Sequence, residues 1–365
     1  MKRGSAAFRA AVLTLFGIFL LCLLLVNADT AMDGVRRGLT LCTETLIPSL
    51  FPFLVLSELL VVVGAGAALG RWLGRPVGAL FGISANAAVS VLLGAVCGFP
   101  VGTTTAVSLY ERGEISEREL RRLVLFVNNP SSGFLIGAVG KALVGSAGAG
   151  AALYGITLLS AALVGVGTRV IFGRAGEGSA LPGSGTRTLT TKDLTESVRR
   201  GFFSLLSVCA FVLFFSCVVA CLTPPLASLG APPLLCAALC GLLELTSGVG
   251  AAVTALPPAL AFRATAFFAS FSGLSVALQI FSAADGKGLR LAPYLLAKTA
   301  QGVIALLLAD GFLRLFSPEL TPTESVAVFA AAPRINLPVA VLLLAAAVVL
   351  LVKRKRRSPK MGTPS

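Results

Sequence analysis

Apolar positions along this chain gather into runs of about 20 residues, the length that carries an α-helix across a hydrocarbon core of ~30 Å. The runs cover 10–26, 41–64, 87–110, 123–142, 148–172, 202–222, 233–255, 261–281, 293–316 and 336–352, with short polar stretches between them. Runs of this length predict helices throughout, in an all-α polytopic membrane protein. Two of them are split. Gly98-Phe99-Pro100-Val101-Gly102 divides 87–110 and Glu244-Leu245-Thr246-Ser247-Gly248 divides 233–255, leaving arms too short to cross. Both are expected to be re-entrant hairpins, because irregular backbone at membrane depth is tolerated only where protein buries it or it lines a wet cavity. Two further runs are interrupted at Phe126-Val127-Asn128-Asn129-Pro130-Ser131-Ser132-Gly133 and at Phe268-Ala269-Ser270-Phe271-Ser272-Gly273.

A repeat lies on top of this pattern. Val35-Arg36-Arg37-Gly38 opens one apolar stretch and Val198-Arg199-Arg200-Gly201 opens another 163 residues later, so the chain reads as two similar halves. The halves cover 33–172 and 198–316, each with a helix, a hairpin (87–110, then 233–255), a broken helix (123–142, then 261–281) and a closing helix. Each half crosses an odd number of times, so the second is inverted. Adding a helix before and after gives about 8 transmembrane helices plus 2 re-entrant hairpins in two inverted-topology repeats. Residues 1–28 fit an N-terminal transmembrane helix or a signal-like segment, 173–197 a cytosolic linker rich in Gly, Ser and Thr, 336–352 the last transmembrane helix and 353–365 a basic cytosolic tail. On this topology most Lys and Arg fall on one face, among them Arg71, Arg112, Arg118, Arg122, Arg169, Lys287 and the run Lys353 to Arg357. The other face keeps a few, including Arg36, Arg37, Lys141, Arg263 and Arg334. The positive-inside rule then places both termini in the cytosol.

Composition narrows the function. Hydrophobic residues make up 56% of the 365 and charged residues 13%, and the excess of 30 Lys and Arg over 16 Asp and Glu sits in short loops and tails. There it orients helices and meets anionic lipid, so the bilayer is the expected partner and nucleic acid is not. The chain has no histidine, which removes the usual imidazole base, proton relay and metal ligand. Its eight cysteines lie in or beside apolar segments with no CxxC pair, as small buried hydrophobes do. No metal, cofactor or catalytic group is expected, and the chain does not read as an enzyme.

The remaining chemistry is concentrated at the breaks. Pro130 removes a backbone donor and clashes with the preceding turn, so the helix should open near Asn128 and Asn129 and expose the amide end of the half-helix that follows, a ready anion site. Asn128, Asn129, Ser131, Ser132, Ser270 and Ser272 add donors and acceptors beside the broken helices, and Thr246 and Ser247 do so beside the second hairpin. Such a set suits a planar solute with carboxylates or ring nitrogens; hydroxyls and amides that merely pack membrane helices are the plain alternative. Glu244, flanked by Leu242, Leu243 and Leu245, is costly unless it binds a substrate group or coupling cation, carries a proton, or is a hydrogen-bonded structural carboxyl. The first hairpin tip offers Gly98, Pro100, Gly102 and Thr103, with hydroxyls and no charge. Arg263, Lys298 and Gln301 either balance an acidic substrate or snorkel towards headgroups. In the loop before the first broken helix, Ser116 reads as an N-cap with Glu119 at the capping-box position.

Five stretches together carry a resemblance: Ile47-Pro48-Ser49-Leu50-Phe51-Pro52-Phe53, Gly98-Phe99-Pro100-Val101-Gly102, Leu109-Tyr110-Glu111-Arg112-Gly113 with Ile115-Ser116, the run from Asn128 to Gly133, and Ile136-Gly137-Ala138-Val139-Gly140. The pattern resembles the YlbJ-type sporulation integral membrane proteins (SpoVV), which carry the nucleoside-recognition or Gate domain. It extends from about Leu39 to Phe316 and is strongest from Gly94 to Gly140; the family often has Tyr where this chain has Phe99, which lacks the hydroxyl. The resemblance implies a transporter of endospore-forming bacteria that moves dipicolinate from the mother cell across the outer forespore membrane. It also implies a fold like the core of concentrative nucleoside transporters. On this reading the partners are a small anionic substrate, held near the midplane between hairpin tips and broken helices, and a coupling H⁺ or Na⁺, with an oligomer left open. The alternatives are a cation-coupled carrier of nucleosides or other small metabolites, and a non-transporting structural component of the forespore envelope. Interrupted helices with polar residues at membrane depth weigh against the scaffold.

Overall fold

The computed structural model describes residues 2–64, 74–175, 189–284 and 287–316. The helix expected at 336–352, the tail 353–365, Arg71, Arg334 and the middle of the linker 173–197 lie outside the described residues. Among the described residues the chain is helical, without strands. In chain order the helices are α1 (Lys2–Val26), α2 (Ala28–Leu41), α3 (Ile47–Val62), α4 (Arg75–Phe81), α5 (Ala88–Cys97), α6 (Val101–Glu111), α7 (Glu117–Leu123), α8 (Ala147–Phe172), α9 (Thr191–Ser228), α10 (Pro233–Leu243), α11 (Leu245–Ala255), α12 (Pro258–Phe271), α13 (Gly273–Ala283) and α14 (Leu291–Phe316). Wider π-helical winding covers Cys42–Leu46 and Gly133–Leu143. Among the described residues, four stretches are long and apolar enough to cross a bilayer: α8, α9, α12 with α13, and α14; the bent pair α1 and α2 makes a fifth. Apolar side chains such as Leu15, Phe19, Leu163, Leu206 and Leu307 face outward, an arrangement that suits lipid and not water.

The described chain forms two compact units, one from residues up to Leu56 together with those from Thr195 onward, the other from Ser57 to Leu194. In the first unit, α1 and α2 meet at Asn27 with a bend of 96°. α2 is too polar to be recognised as part of a span, yet it packs closely on α9. A Cβ added to Gly34 would stand 2.8 Å from Ala220 Cβ, and one on Gly38 would stand 3.2 Å from Ser216 Cβ. Small residues one turn apart let the two backbones approach. Further along, Gly201 of α9 comes against Val55 of α3, where an added Cβ would lie 3.2 Å from the Val55 nitrogen. The two Val-Arg-Arg-Gly copies thus share one local design. In each the glycine packs, and an acid three residues before the first Arg pairs with it, Asp33 with Arg36 at 3.2 Å and Glu196 with Arg199 at 2.9 Å. α14 lies antiparallel to α12, with Phe262 stacked on Phe312 at 5.7 Å. Its buried stripe runs through Tyr294, Lys298, Gln301, Ala305, Ala309 and Leu313.

In the second unit α5 and α6 form a hairpin whose arms cross at Gly94 and Gly102, and the π-helix 133–143 crosses α8 at Gly140 and Gly150. Below the hairpin, Ser116 Oγ accepts from Glu119 N at 3.2 Å and caps α7. The Glu119 carboxylate does not close a box with Ser116; it accepts from Ser84 N instead. Arginines then satisfy the carbonyl ends of α4 and α8. Arg122 Nη1 donates to Gly82 O at 3.2 Å and to Gly173 O at 2.7 Å, and Arg118 Nη2 donates to Phe172 O at 2.6 Å. Cations at helix C-termini also oppose the helix dipole.

Candidate functional site

In the unit from Ser57 to Leu194 the chain turns between α5 and α6 at Gly98, Phe99 and Pro100, with a cis Phe99–Pro100 peptide. Gly98 has φ 86°, a conformation that favours glycine, and a Cβ there would stand 2.5 Å from Ser131 N. The tip therefore rests directly on the opened chain between α7 and the π-helix. Phe99 N donates to Asn129 O at 2.8 Å, and Thr103 Oγ1 donates to Asn128 Oδ1 at 2.8 Å. Gly94 and Gly102 leave the space that the Val127 carbonyl fills. Asn128 Nδ2 turns back to the Val124 carbonyl at 2.9 Å and Asn129 Nδ2 to the Phe126 carbonyl at 3.1 Å. These buried amides take up carbonyls that the break at Pro130 would otherwise leave unmatched. Ser131 Oγ accepts from Phe134 N at 3.2 Å and caps the π-helix, whose first turn begins beside half-buried Ser132. Asn128, Asn129, Ser131, Ser132 and the tip residues Gly98, Pro100, Gly102 and Thr103 are thus one cluster. What it offers a solute is the amide end of the π-helix.

In the other unit, α10 and α11 part at Glu244, which is extended at φ −143° and ψ 120°. Gly241 and Gly248 bring the arms so close that a Cβ on Gly248 would lie 2.1 Å from Gly241 Cα. Glu244, 3% exposed, accepts from Thr246 N at 2.9 Å and from Ser247 N at 2.6 Å. It is the N-cap of α11, its carboxyl group at the positive end of the helix dipole. The amide end of α11 is thus filled by the chain's own carboxyl group. The second break lies at Ser272 and Gly273, consecutive left-handed residues with φ 73° and 78°. Ser272 N donates to Phe268 O at 2.7 Å and its hydroxyl to Ala269 O at 3.2 Å, closing α12. A Cβ on Gly273 would stand 3.2 Å from both Gly241 O and Leu245 N. Here too a hairpin break is seated on a broken helix, and buried Ser270 and Ser272 meet the region of Glu244, Thr246 and Ser247. α13 begins without a side-chain cap, so its amide end is the one left for an anion.

α14 runs past this break. Tyr294 touches the Phe281 ring at 5.7 Å and Gly302 backs onto Phe267, with Lys298 midway between them. Lys298 is fully buried and donates to Gln301 Oε1 at 2.7 Å, so neither residue snorkels. Arg263 instead pairs with Asp310 at 2.7 Å near the outer end of the bundle. Gln279 Oε1 and the Tyr294 hydroxyl are buried without a hydrogen-bond partner among the described residues, which leaves acceptor and donor capacity on the helices that flank the break.

One buried carboxyl escaped the sequence reading. Glu58 of α3 is 8% exposed, and both of its oxygens lie within hydrogen-bond distance of Ser108 Oγ on α6. The signal was the same as for Glu244, an acid among Leu56, Leu59 and Leu60, but no helix break drew attention to it.

Fold and site together define a class, an all-helical polytopic membrane protein with buried polar groups at the interruptions of its helices. Over 325 residues, 80% of this chain and 79% of the relative, the sequence is 26% identical to the sporulation integral membrane protein YlbJ of Bacillus subtilis (strain 168). No family model matches the chain, and no solved structure matches it.

Proposed function

We propose that this chain is a sporulation membrane transporter that moves dipicolinate, a planar dianion near neutral pH, from the mother cell across the outer forespore membrane. The observation that carries the reading is the seating of a hairpin break on a broken helix in each unit, with buried amides and hydroxyls at one and a buried lysine passing the other. Packing alone does not require polar backbone ends at membrane depth; a polar solute does. In the unit with α13, Lys298 and the uncapped helix end supply positive potential for a carboxylate, with Ser270, Ser272, Thr246 and Ser247 nearby and Glu244 fixing the hairpin tip. In the other, Asn128, Asn129, Ser131 and Ser132 supply neutral donors and acceptors. The likeness to YlbJ supports a sporulation membrane as the location. The asymmetry of Lys and Arg supports two inverted halves, about eight crossings and cytosolic termini. The solute is carried unchanged, so no cofactor or catalytic group takes part, and H⁺ or Na⁺ drives it.

The test is flux of dipicolinate in proteoliposomes that hold the purified chain, with adenosine as competitor and Lys298→Gln alongside. Dipicolinate is expected to move, excess adenosine to leave it unchanged, and Lys298→Gln to slow it at least about tenfold. Adenosine moving in place of dipicolinate would replace the cargo and keep the carrier; a wild-type chain that moves neither would end the transport reading.

A further inference from the structure

Glu58 has no place in the binding scheme above. Its carboxyl lies on α3, and Ser108 Oγ stands 3.0 Å from Oε1 and 3.1 Å from Oε2. Ser108 belongs to α6, the second arm of the first hairpin, which is buried from Val101 to Leu109. We propose that Glu58 and Ser108 form the proton site of the transport cycle, a step that rests on the transport reading.

The geometry serves both protonation states with the heavy atoms in place. When Glu58 is ionised, the Ser108 hydroxyl proton is shared between the two carboxylate oxygens. When one proton adds to a carboxylate oxygen, that O–H donates to Ser108 Oγ. The serine proton then turns to the carbonyl one helical turn back, at Thr104, a bond that helical serines commonly make. Protonation removes one negative charge from the Glu58 carboxyl. Glu58 is the one ionisable residue of α3 between Ile47 and Val62, and α6 carries none before Tyr110 and Glu111 at its end. α9 meets α3 at Val55 through Gly201, and the charges beside that contact, Glu196, Arg199 and Arg200, pair with one another at the exposed surface.

The site is also mechanically placed. Ser108 lies five residues along α6 from Thr103, ~7.5 Å at 1.5 Å per residue, and Thr103 holds Asn128 at the substrate-side break. A change in how α3 grips α6 is therefore delivered to the hairpin tip through one rigid helix.

The experiment compares two dipicolinate assays on the full chain in proteoliposomes: exchange at equal pH on both sides, and net accumulation driven by a pH gradient. Glu58→Gln is expected to keep exchange within about twofold and to lose gradient-driven accumulation at least about tenfold. Ser108→Ala removes the bond that favours the ionised carboxylate, so its half-maximal pH for accumulation should move upward. A role in packing alone would not shift that midpoint. Infrared difference spectra on acidification give an independent reading, a protonated-carboxyl band present in wild type and absent in Glu58→Gln. Full gradient-driven accumulation by Glu58→Gln, or an unchanged band, would overturn the proton site and leave the carrier intact. A wild type inert in both assays would overturn the transport reading and the coupling role with it, while the infrared band would still show whether Glu58 titrates.

Discussion

At Gly273 a single methyl group decides whether two helix breaks can touch, since three backbone atoms of the opposing hairpin lie within 3.3 Å of where a Cβ would stand. Ser272 beside it holds a left-handed φ of 73°, a conformation costing an L-residue roughly 1 kcal/mol that the surrounding bonds must offset. Individual residues were unevenly legible. Gly98, Pro100 and Pro130 announce themselves because glycine and proline have backbone meaning whatever surrounds them. Glu244 announced a costly carboxyl but not its use as a cap, since the backbone N–H groups it binds exist only once α11 has formed. Away from the membrane spans, Glu114 supplies a pH test. It is buried in the loop between α6 and α7 with Oε1 lacking a hydrogen-bond partner among the described residues, and burial pushes its carboxyl above the usual range while Arg112 pulls it partly back. A folded-state pKa above the unfolded one gives stability that is full at low pH and fades as pH rises through the folded value. Thermal melting of the wild type should therefore fall as pH rises from the ordinary carboxylate range, and Glu114→Gln should flatten that slope and melt higher at its upper end. Parallel slopes in the two proteins would show that Glu114 does not set it.

Among elements, the hairpins are decided by glycine more than by hydropathy. Gly94 with Gly102, and Gly241 with Gly248, bring paired arms to a separation that no side chain fits. Gly248 and Gly250 lie on the same short helix and make a controlled comparison. A Cβ on Gly248 would stand 2.1 Å from Gly241 Cα, whereas one on Gly250 meets nothing within 4 Å. Gly248→Ala should lower stability by about 1–3 kcal/mol because the arms must part. Gly250→Ala should raise it by up to ~1 kcal/mol through helix propensity. Melting of the two variants in the same detergent checks the difference, and equal shifts would mean that the arms do not cross at Gly248. α2 shows what apolar runs conceal: its sequence is too polar to stand out as a span, and the Gly34, Gly38 spacing that docks it on α9 is invisible to a hydropathy reading. α14 shows the converse. Its buried stripe is small and polar while Leu296, Leu306 and Leu307 face outward, so the inward direction of Lys298 follows from the 3.6-residue period only once the outside is taken to be lipid.

For the whole molecule, the repeated motif carries a statement about the membrane. α2 lies antiparallel to α9, with Gly34 and Gly38 bracketing contacts at Ser216 and Cys217, so Arg36 sits beside that stretch. Arg199 lies on α9 itself, 18 residues earlier. At 1.5 Å per residue the two copies of Val-Arg-Arg-Gly are ~27 Å apart along one helix, close to the ~30 Å of a hydrocarbon core. Both arginines are exposed and paired with a local acid, as charges at opposite headgroup layers would be, and buried charge in the span between them would be costly. Inverted halves demand this separation; halves repeated in the same orientation would put the two copies on one face. In a variant with the eight native cysteines replaced, Arg36→Cys and Arg199→Cys should react with a membrane-impermeant maleimide from opposite sides, Arg199→Cys from the cytosolic face in inverted vesicles and Arg36→Cys in intact cells. Reaction of both from the same side would break the inverted arrangement. Reaction from opposite sides would make the ~27 Å of α9 between the motifs the measured thickness of the span.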